Sequence, residues 1–212
     1  FKQGAAEFAW ELSTQGLGLD PENVWITVFG GDDELKLGPD EEAIEVWLQI
    51  GIPRERIVLL PRKENFWQAG PTGPCGPCSE LYLDRGVEYG KADDLPGGEN
   101  ERFLEYWNLV FMEYKQDPVG VLTPLPKQNI DTGLGLNRMA ALLQGVDSVF
   151  DTDQFVPLIQ LGDRPAAVGV ELDLAGGALL RHQDRRAVEV DDGQDNYTYD
   201  DHAAKVSVTV KD

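Results

Sequence analysis

The chain has 212 residues, of which 42% are hydrophobic and 26% charged, which is the composition of an ordinary globular protein with one sizeable domain. Its 38 acidic and 18 basic residues give a formal net charge of −20 at pH 7, which excludes a general affinity for the phosphate backbone of nucleic acids. No apolar run of the sequence approaches the length of a transmembrane helix, so we expect no association with a membrane.

Hydrophobic periodicity in the first part of the chain predicts two helices and three strands. The predicted helices cover residues 1–16 and 39–50, and each of them ends at or next to a glycine. The predicted strands cover residues 24–29, 56–60 and 80–84, which are short and either continuously apolar or alternating.

Residues 65–80 contain so many glycines and prolines that they are predicted to form a loop, neither a helix nor a regular strand. The only two cysteines, Cys75 and Cys78, lie in this segment in a C-x-x-C spacing. A zinc site needs four ligands and a second pair is missing, so no metal site is expected. A redox motif would open a helix, which a Gly-Pro pair before each cysteine disfavours; two small, partly buried side chains are the alternative. The cysteine usage is typical of the reducing cytoplasm, where we expect the protein to reside.

The second part of the chain predicts a sheet built by hairpins. A polar, glycine-rich loop over 86–100 precedes a strand over 103–114 that is rich in aromatic and β-branched residues. A turn and a return segment cover 118–128, and a helix over 136–143 ends before Gly145. Strands joined by hairpins, with helices between them, predict an antiparallel sheet flanked by helices, of the α+β class.

The pattern changes after about residue 160, where no strong helical period remains. We therefore expect two parts, a domain over 1–160 and a short, acidic, β-rich C-terminal tail over 161–212 of unknown role. Short strands are predicted in this tail at 187–190 and 206–210.

Four residues between the return segment and the last helix are candidates for binding a charged ligand. Asp131 could hold an ammonium group by a charge-assisted hydrogen bond, or it could cap the following helix. Gly133 and Gly135 would let the backbone approach a ring or a phosphate, although a plain turn explains them equally. Arg138 could bind phosphate oxygens at the start of the helix, or it could be a solvated helix arginine.

A second group of residues could form a small apolar pocket. Trp67 and Trp107 would supply a wall, Val110 a floor, and the amide of Asn108 a polar anchor, which is the usual construction of a small-ligand site. The alternative is that both tryptophans belong to the core, as aromatic residues in strands commonly do.

Three long segments of the chain resemble the alanyl-tRNA synthetases, a family of class II aminoacyl-tRNA synthetases. They are ENFWQAGPTGPCGPCSELYLDRG at 64–86, FLEYWNLVFMEY at 103–114 and PLPKQNIDTGLGLNRMAALLQG at 124–145. Weaker matches are 24–34 and 41–57, and the resemblance extends over residues 1 to about 160 in unbroken order. It implies a class II catalytic domain, in which an antiparallel sheet is flanked by helices.

The resemblance also implies a reaction and a set of alanine-binding residues. Alanine attacks the α-phosphate of ATP to give alanyl-adenylate and pyrophosphate, and the alanyl group then passes to the 3′ end of tRNA(Ala), with Mg²⁺ bridging phosphate oxygens. Asp131 would bind the ammonium group of alanine. The alanine pocket would be lined by Trp67, Asn108, Val110 and Gly133.

For ATP, the resemblance implies Lys2, Gly135 and Arg138, with Arg138 as the catalytic residue. Lys2 matches the tail of the family's motif 2, and the other two match motif 3. Asn137 departs from the family, because motif 3 usually has a glutamate at this position next to Arg138.

The resemblance suggests that the chain is a fragment of a larger enzyme. Motif 1 and most of motif 2 would precede Phe1, so we expect the chain to be inactive alone and to reach tRNA through parts that it mostly lacks. The departure at Asn137 and the unfamiliar tail leave one alternative, a non-catalytic interaction or regulatory module.

Overall fold

The computed structural model describes residues 1–163 together with two short strands, β7 (Asp173–Leu174) and β8 (Ala178–Leu179). The strands predicted at 187–190 and 206–210 lie outside the described residues. The division of the chain at residue 160 stays a prediction.

The compact unit Phe1–Val156 holds a six-stranded sheet, and the element bounds are as follows. The helices of this unit are α1 (Lys2–Glu11), α2 (Glu41–Ile50), α3 (Arg62–Asn65) and α4 (Leu136–Gln144); α5 (Val156–Asp163) begins at its last residue and belongs to the second unit, Pro157–Asp212. The strands are β1 (Val24–Phe29), β2 (Ile57–Leu60), β3 (Phe66–Gln68), β4 (Gly73–Asp84), β5 (Phe103–Gln116) and β6 (Leu122–Leu134). None of the helices among the described residues is long and apolar enough to span a bilayer.

The strand order is β2-β1-β4-β5-β6, and β3 pairs with the first part of β4. Only β1 and β2 run parallel; every other pair of this sheet is antiparallel. A mostly antiparallel sheet flanked by helices confirms the predicted α+β class. The predicted helix over 1–16 divides into α1 and a π-helical turn over Leu12–Gly16.

Helix α2 shows how the sequence fixes the packing of the helical layer. The Asp40 side chain accepts a hydrogen bond from the Ala43 N–H at 3.1 Å and caps the helix, while Gly51 ends it at φ 108°. Trp47 is fully buried, and its Nε1 donates to the Ser79 Oγ on β4 at 2.8 Å. This buried hydrogen bond sets the position of α2 on the sheet.

The main core lies on the helical face of the sheet. Alternate residues of the central strands point into it, because side chains along a strand alternate between the two faces. Its strand members include Val24, Ile26 and Val28 of β1, Leu81 of β4, and Leu109 and Phe111 of β5. A smaller cluster of buried residues consists of Phe29, Phe66 and Cys75.

The prediction of a loop over 65–80 was wrong for most of its length. Residues 66–68 form β3, and β4 begins at Gly73 and continues through both cysteines. Pro77 has no backbone N–H to donate to a neighbouring strand. It lies where the register between β4 and β5 shifts, between Cys75 and Cys78, and the irregular pairing there does not require that N–H.

Gly76 lies in this bulge and makes the closest backbone approach of the sheet. A Cβ atom built on Gly76 would lie 1.9 Å from the Phe111 carbonyl oxygen on β5. The glycine is therefore required by the spacing of two backbones, and the sequence pattern that predicted a loop reflects this spacing.

We predict that Gly76→Ala destabilises the protein by about 1–3 kcal/mol or more, because β4 and β5 must separate to admit the methyl group. Gly4→Ala is the matched control, since a Cβ at Gly4 in α1 meets nothing within 4 Å. It should be neutral or stabilise by about 0.5–1 kcal/mol. Urea unfolding of both variants tests this; equal stabilities would contradict the close approach.

Candidate functional site

The register of β5 and β6 brings four of the predicted alanine-binding residues together. Asn108 lies opposite Gly133, and Val110 lies opposite Asp131. Residues that are directly opposite in an antiparallel pair share one face of the sheet, with Cβ atoms about 5 Å apart. The two pairs are successive on that face, so the four residues form one patch.

This patch lies on the face opposite the main core. Leu109 and Phe111 of β5 are buried against the helices, and the intervening Asn108 and Val110 point to the other side. Val110 is buried and Asn108 is half-buried, whereas Asp131 is exposed. The patch thus offers an accessible carboxylate beside a small apolar surface.

Trp67 is separate from the four by register. It lies on β3, opposite Gly76 of β4. Two residues further along β4, Cys78 lies opposite Val110 of β5. Its side chain is half-buried.

Burial raises the pKa of the neighbouring Cys78 thiol well above its ordinary value, so this cysteine is an unreactive, buried thiol at neutral pH.

The structure excludes one of the two interpretations of Asp131. Helix α4 is capped by Gly135, whose N–H donates to the Tyr106 carbonyl at 2.9 Å. Asp131 is in strand β6, four residues before this cap. The helix-cap alternative was therefore wrong, and the Asp131 carboxylate is available for another partner.

Arg138 lies in the first turn of α4 and is held by β5. Its Nη1 donates to the Glu105 carbonyl oxygen at 2.9 Å and to the Glu105 Oε2 at 3.0 Å. A Cβ at Gly135 would lie 3.4 Å from the Arg138 side chain, which is an ordinary van der Waals contact. The sequence left the orientation of Arg138 open because Asn137 replaces a glutamate, and Glu105 supplies a carboxylate from the neighbouring strand.

Lys2 is buried in an ion-pair cluster between α1, α2 and β5. Its Nζ lies 2.6 Å from Asp40 and 2.7 Å from Glu113, and its side chain is only 3% exposed. Burial alone would lower its pKa, but Asp40 and Glu113 more than compensate and the pKa is raised. The lysine charge is thus matched by carboxylates, and contact with a phosphate would require it to leave them.

Glu80 is a functional candidate that the sequence reasoning did not single out. It is in the middle of β4, opposite Thr27 of β1 and Asn108 of β5, and is 6% exposed. Its Oε1 accepts from Asn108 Nδ2 at 3.0 Å, and its Oε2 accepts from Thr27 Oγ1 and Tyr82 OH at 3.1 Å each. The signal was a glutamate among buried strand positions, which is rare unless the carboxyl is paired.

The environment of Glu80 favours its neutral form. Burial is the main cause, repulsion from Glu105 adds to it, and the hydrogen bonds from Tyr82 and Thr27 act in the opposite direction. The pKa of Glu80 is raised from 4.5 to about 8. A carboxyl that changes charge near neutral pH therefore lies next to the polar anchor of the predicted pocket.

The described residues include no cluster of three or more His, Cys, Asp or Glu side chains that could hold a metal ion. Mg²⁺ commonly keeps several waters and binds through substrate phosphates, so it would arrive as the complex of ATP.

Comparison with known proteins places this geometry in a family. The family model for class II (A) tRNA synthetases matches residues 1–184. An alanine–tRNA ligase of Rubrobacter xylanophilus is 45% identical over 206 residues, which cover 91% of this chain and 23% of the relative. The alanine–tRNA ligase of Corynebacterium diphtheriae is 47% identical over 77% of this chain and 19% of the relative. That of Lysinibacillus sphaericus is 49% identical over 76% of this chain and 17% of the relative. The chain spans about a fifth of the length of these relatives.

We predict that Lys2→Met destabilises the protein by about 3–5 kcal/mol, because it leaves Asp40 buried without its partner. Lys63→Met is the control: Lys63 is 87% exposed in its pair with Glu64, and little change is expected. Because the pKa of Lys2 is raised, its contribution is complete below pH 10.5 and is lost as the pH rises through the folded-state pKa. Denaturant unfolding at pH 7 and above pH 10.5 measures both effects; equal losses in the two variants would refute the cluster's role.

We predict that Glu80→Gln becomes more stable relative to the parent as the pH rises from 5 to 8. With a pKa of about 8 folded and 4.5 unfolded, the folded state binds more protons in this window, so the parent loses stability there as the pH rises. Glutamine has no such titration, so the difference in unfolding free energy between variant and parent should grow. A difference that is constant from pH 5 to 8 would show that Glu80 titrates normally.

Proposed function

The chain belongs to the class II (A) tRNA synthetases, and on that premise we propose that it carries the amino-acid activation site of an alanine–tRNA ligase. Alanine would attack the α-phosphate of ATP, which gives alanyl-adenylate and pyrophosphate. The observation that supports this best is the register of β5 and β6, which collects Asn108, Val110, Asp131 and Gly133 on one face of the sheet.

Asp131 has the chemistry to bind the ammonium group of alanine. Its carboxylate is exposed and is not used as a helix cap. A charge-assisted hydrogen bond between a carboxylate and an ammonium group is about twice as strong as a neutral one. The carboxylate would therefore fix one end of the amino acid and leave its acid group directed at ATP.

The neighbours of Asp131 suit a small side chain. Val110, directly opposite, presents an apolar surface to a methyl group, and Gly133 adds no side chain of its own to the patch. Trp67, held at the adjoining bulge, would close the pocket against larger amino acids. Glycine is harder to exclude, since one methyl group contributes only about 1–3 kcal/mol of discrimination.

ATP would lie at the start of α4. Arg138 and the N–H groups of the first helical turn would form a positive end for phosphate oxygens. Gly135 keeps the backbone accessible there. Arg138 would act as the catalytic residue by stabilising charge at the α-phosphate, which is the main contribution expected for this reaction. Mg²⁺ would accompany ATP and neutralise its phosphates.

Lys2 is the least direct of the proposed ATP contacts. Asp40, Glu42 and Glu113 surround its ammonium group, so the net charge next to Lys2 is negative. Phosphate binding there would require Lys2 to exchange at least one carboxylate for a phosphate oxygen.

Transfer of the alanyl group to tRNA(Ala) is proposed for the longer protein that the relatives represent. A net charge of −20 leaves this chain with no general attraction for an RNA backbone, so tRNA contacts would be local or made elsewhere. The two free, buried cysteines are in keeping with the reducing cytoplasm, where aminoacylation would take place.

A non-catalytic, synthetase-like module is the second candidate. The observation that favours it is that both cations assigned to ATP, Lys2 and Arg138, are paired with carboxylates. The two functions differ in ligand binding, because a module that has lost the activity has no reason to keep a pocket specific for alanine.

We predict that a non-hydrolysable alanyl-adenylate analogue raises the melting temperature of the chain, and that the leucyl analogue does not. At 100 times the Kd the stabilisation is about 2.7 kcal/mol. Asp131→Asn should weaken binding at least about tenfold through loss of the charge-assisted bond. Asp33→Asn, at an exposed position after β1, is the control and should behave as the parent.

A cooperative melt that no alanyl analogue shifts would contradict the activation site and favour the non-catalytic module. An equal shift in the Asp131→Asn variant would contradict the role of Asp131 and leave the rest of the pocket in place.

A further inference from the structure

Glu80 joins three strands through a single carboxylate. The three hydrogen bonds that it accepts are divided unequally between its two oxygens. Thr27 and Tyr82 both donate to Oε2, whereas only Asn108 donates to Oε1. Because Oε2 already accepts two hydrogen bonds, a change in the protonation of Glu80 mainly affects Oε1 and its partner Asn108.

Of the two polar atoms of the Asn108 amide, only the nitrogen makes a hydrogen bond among the described residues. Its Nδ2 donates to Glu80, and its Oδ1 is buried without a hydrogen-bond partner among the described residues. A buried acceptor without a partner is unfavourable, and a ligand that donates a hydrogen bond to it would remove this penalty. Because the amide is planar, the Oδ1 atom is directed away from Glu80, and the residue opposite Asn108 on β6 is Gly133, which has no side chain.

We propose that Glu80 is a positioning residue of the amino-acid site, whose protonation state sets which end of the Asn108 amide faces the ligand. This inference rests on the proposed function for the identity of the ligand, but the orientation of the amide does not depend on it.

The ionised carboxylate can only accept, so it holds Asn108 with Nδ2 towards itself and Oδ1 towards the pocket. When Glu80 binds a proton, that proton belongs on Oε1, because Oε2 already accepts two hydroxyl groups. The Oε1–H then donates to Asn108 Oδ1, the amide turns over, and Nδ2 faces the pocket. The pocket thus changes from an acceptor to a donor as one proton is bound.

The groups around Glu80 all bear on this equilibrium. Burial and the negative charges of Glu105 and Glu64 raise its pKa, the Tyr82 and Thr27 hydroxyl groups favour the ionised form, and the net result is a pKa of about 8. Glu105 is itself paired with Arg138. Both states of Glu80 are therefore populated near neutral pH, and a bound cation near Asn108 would favour the ionised one.

The ammonium group of alanine is such a cation. It has three N–H donors, of which the Asp131 carboxylate can accept one or two. The Asn108 Oδ1, one residue pair along the same face, is the acceptor for another. Binding of the ammonium group should thus favour ionised Glu80 and release a proton in the pH range where free Glu80 is protonated.

Side-chain NMR of the whole chain tests the orientation without any ligand. With asparagine labelled by ¹⁵N, the Asn108 amide signals, assigned by Asn108→Asp, should move with a midpoint near pH 8. In Glu80→Gln they should be independent of pH, since the glutamine oxygen takes the place of Oε2 and its NH₂ group holds Asn108 turned over. Glu64→Gln is the control, and there the titration should persist at a lower midpoint. An Asn108 signal in the parent that does not move between pH 6 and 10 would overturn the proposal.

Calorimetry with the alanyl-adenylate analogue tests the consequence for binding. The affinity advantage of the parent over Glu80→Gln should be larger at pH 9 than at pH 6.5, a comparison in which the titration of the ligand's own amino group cancels. Proton release near pH 7 should be visible in the parent as a dependence on buffer ionisation. Glu80→Gln should bind about tenfold more weakly at pH 9, with no proton release, because one hydrogen bond to a charged group is lost.

The outcomes separate the two hypotheses. A titrating Asn108 signal in a parent that does not bind the analogue would overturn the proposed function and support the orientation by Glu80. Binding that is equally tight in parent and Glu80→Gln at pH 9 would overturn the role of Glu80 in the site and leave the proposed function standing.

Discussion

The pairing of β4 with β5 is the contact on which the rest of the structure depends. These are two of the longest strands, and β5 in turn sets the register of β6. The pairing survives a bulge only because Gly76 lets two backbones approach where any side chain would collide with the Phe111 carbonyl. A slip of one residue would turn Asn108 and Val110 into the core and move Leu109 to the ligand face.

The face of the sheet opposite the main core carries the candidate site. A row of paired residues, Thr27, Glu80, Asn108 and Gly133, crosses four strands. Burying the Glu80 carboxyl is costly, and its three donors offset part of this cost. The result is a site whose polar groups are fixed by strands and not by loops, with one carboxyl poised to change charge near neutral pH.

The two cations proposed for ATP binding differ in their surroundings from the carboxylate proposed for alanine binding, because both cations are paired with acidic side chains. Lys2 and Arg138 each lie within hydrogen-bond distance of an acidic residue of β5, Glu113 and Glu105 respectively. β5 therefore contributes to both parts of the proposed site: it supplies the Asn108 amide and the Val110 side chain to one part and the Glu105 and Glu113 carboxylates to the two cations. Such pairing orients the cations before ATP is present, and phosphate oxygens would have to compete with it.

The sequence by itself determined the α+β class, the helices α2 and α4 with their glycine ends, and the segments that hold the candidate site, because periodicity and capping residues are local signals. The sequence wrongly predicted a loop at β3 and the first part of β4. The glycines and prolines there are typical of loops, but they form a bulge in which Gly76 lies against Phe111 of β5, 35 residues further along the chain. The sequence also missed Glu80 and left Asp131 between a cap and a ligand contact. Only the tertiary structure decided these points, since the register between strands distant in sequence determines which polar side chains meet on one face and which donors a buried carboxyl finds.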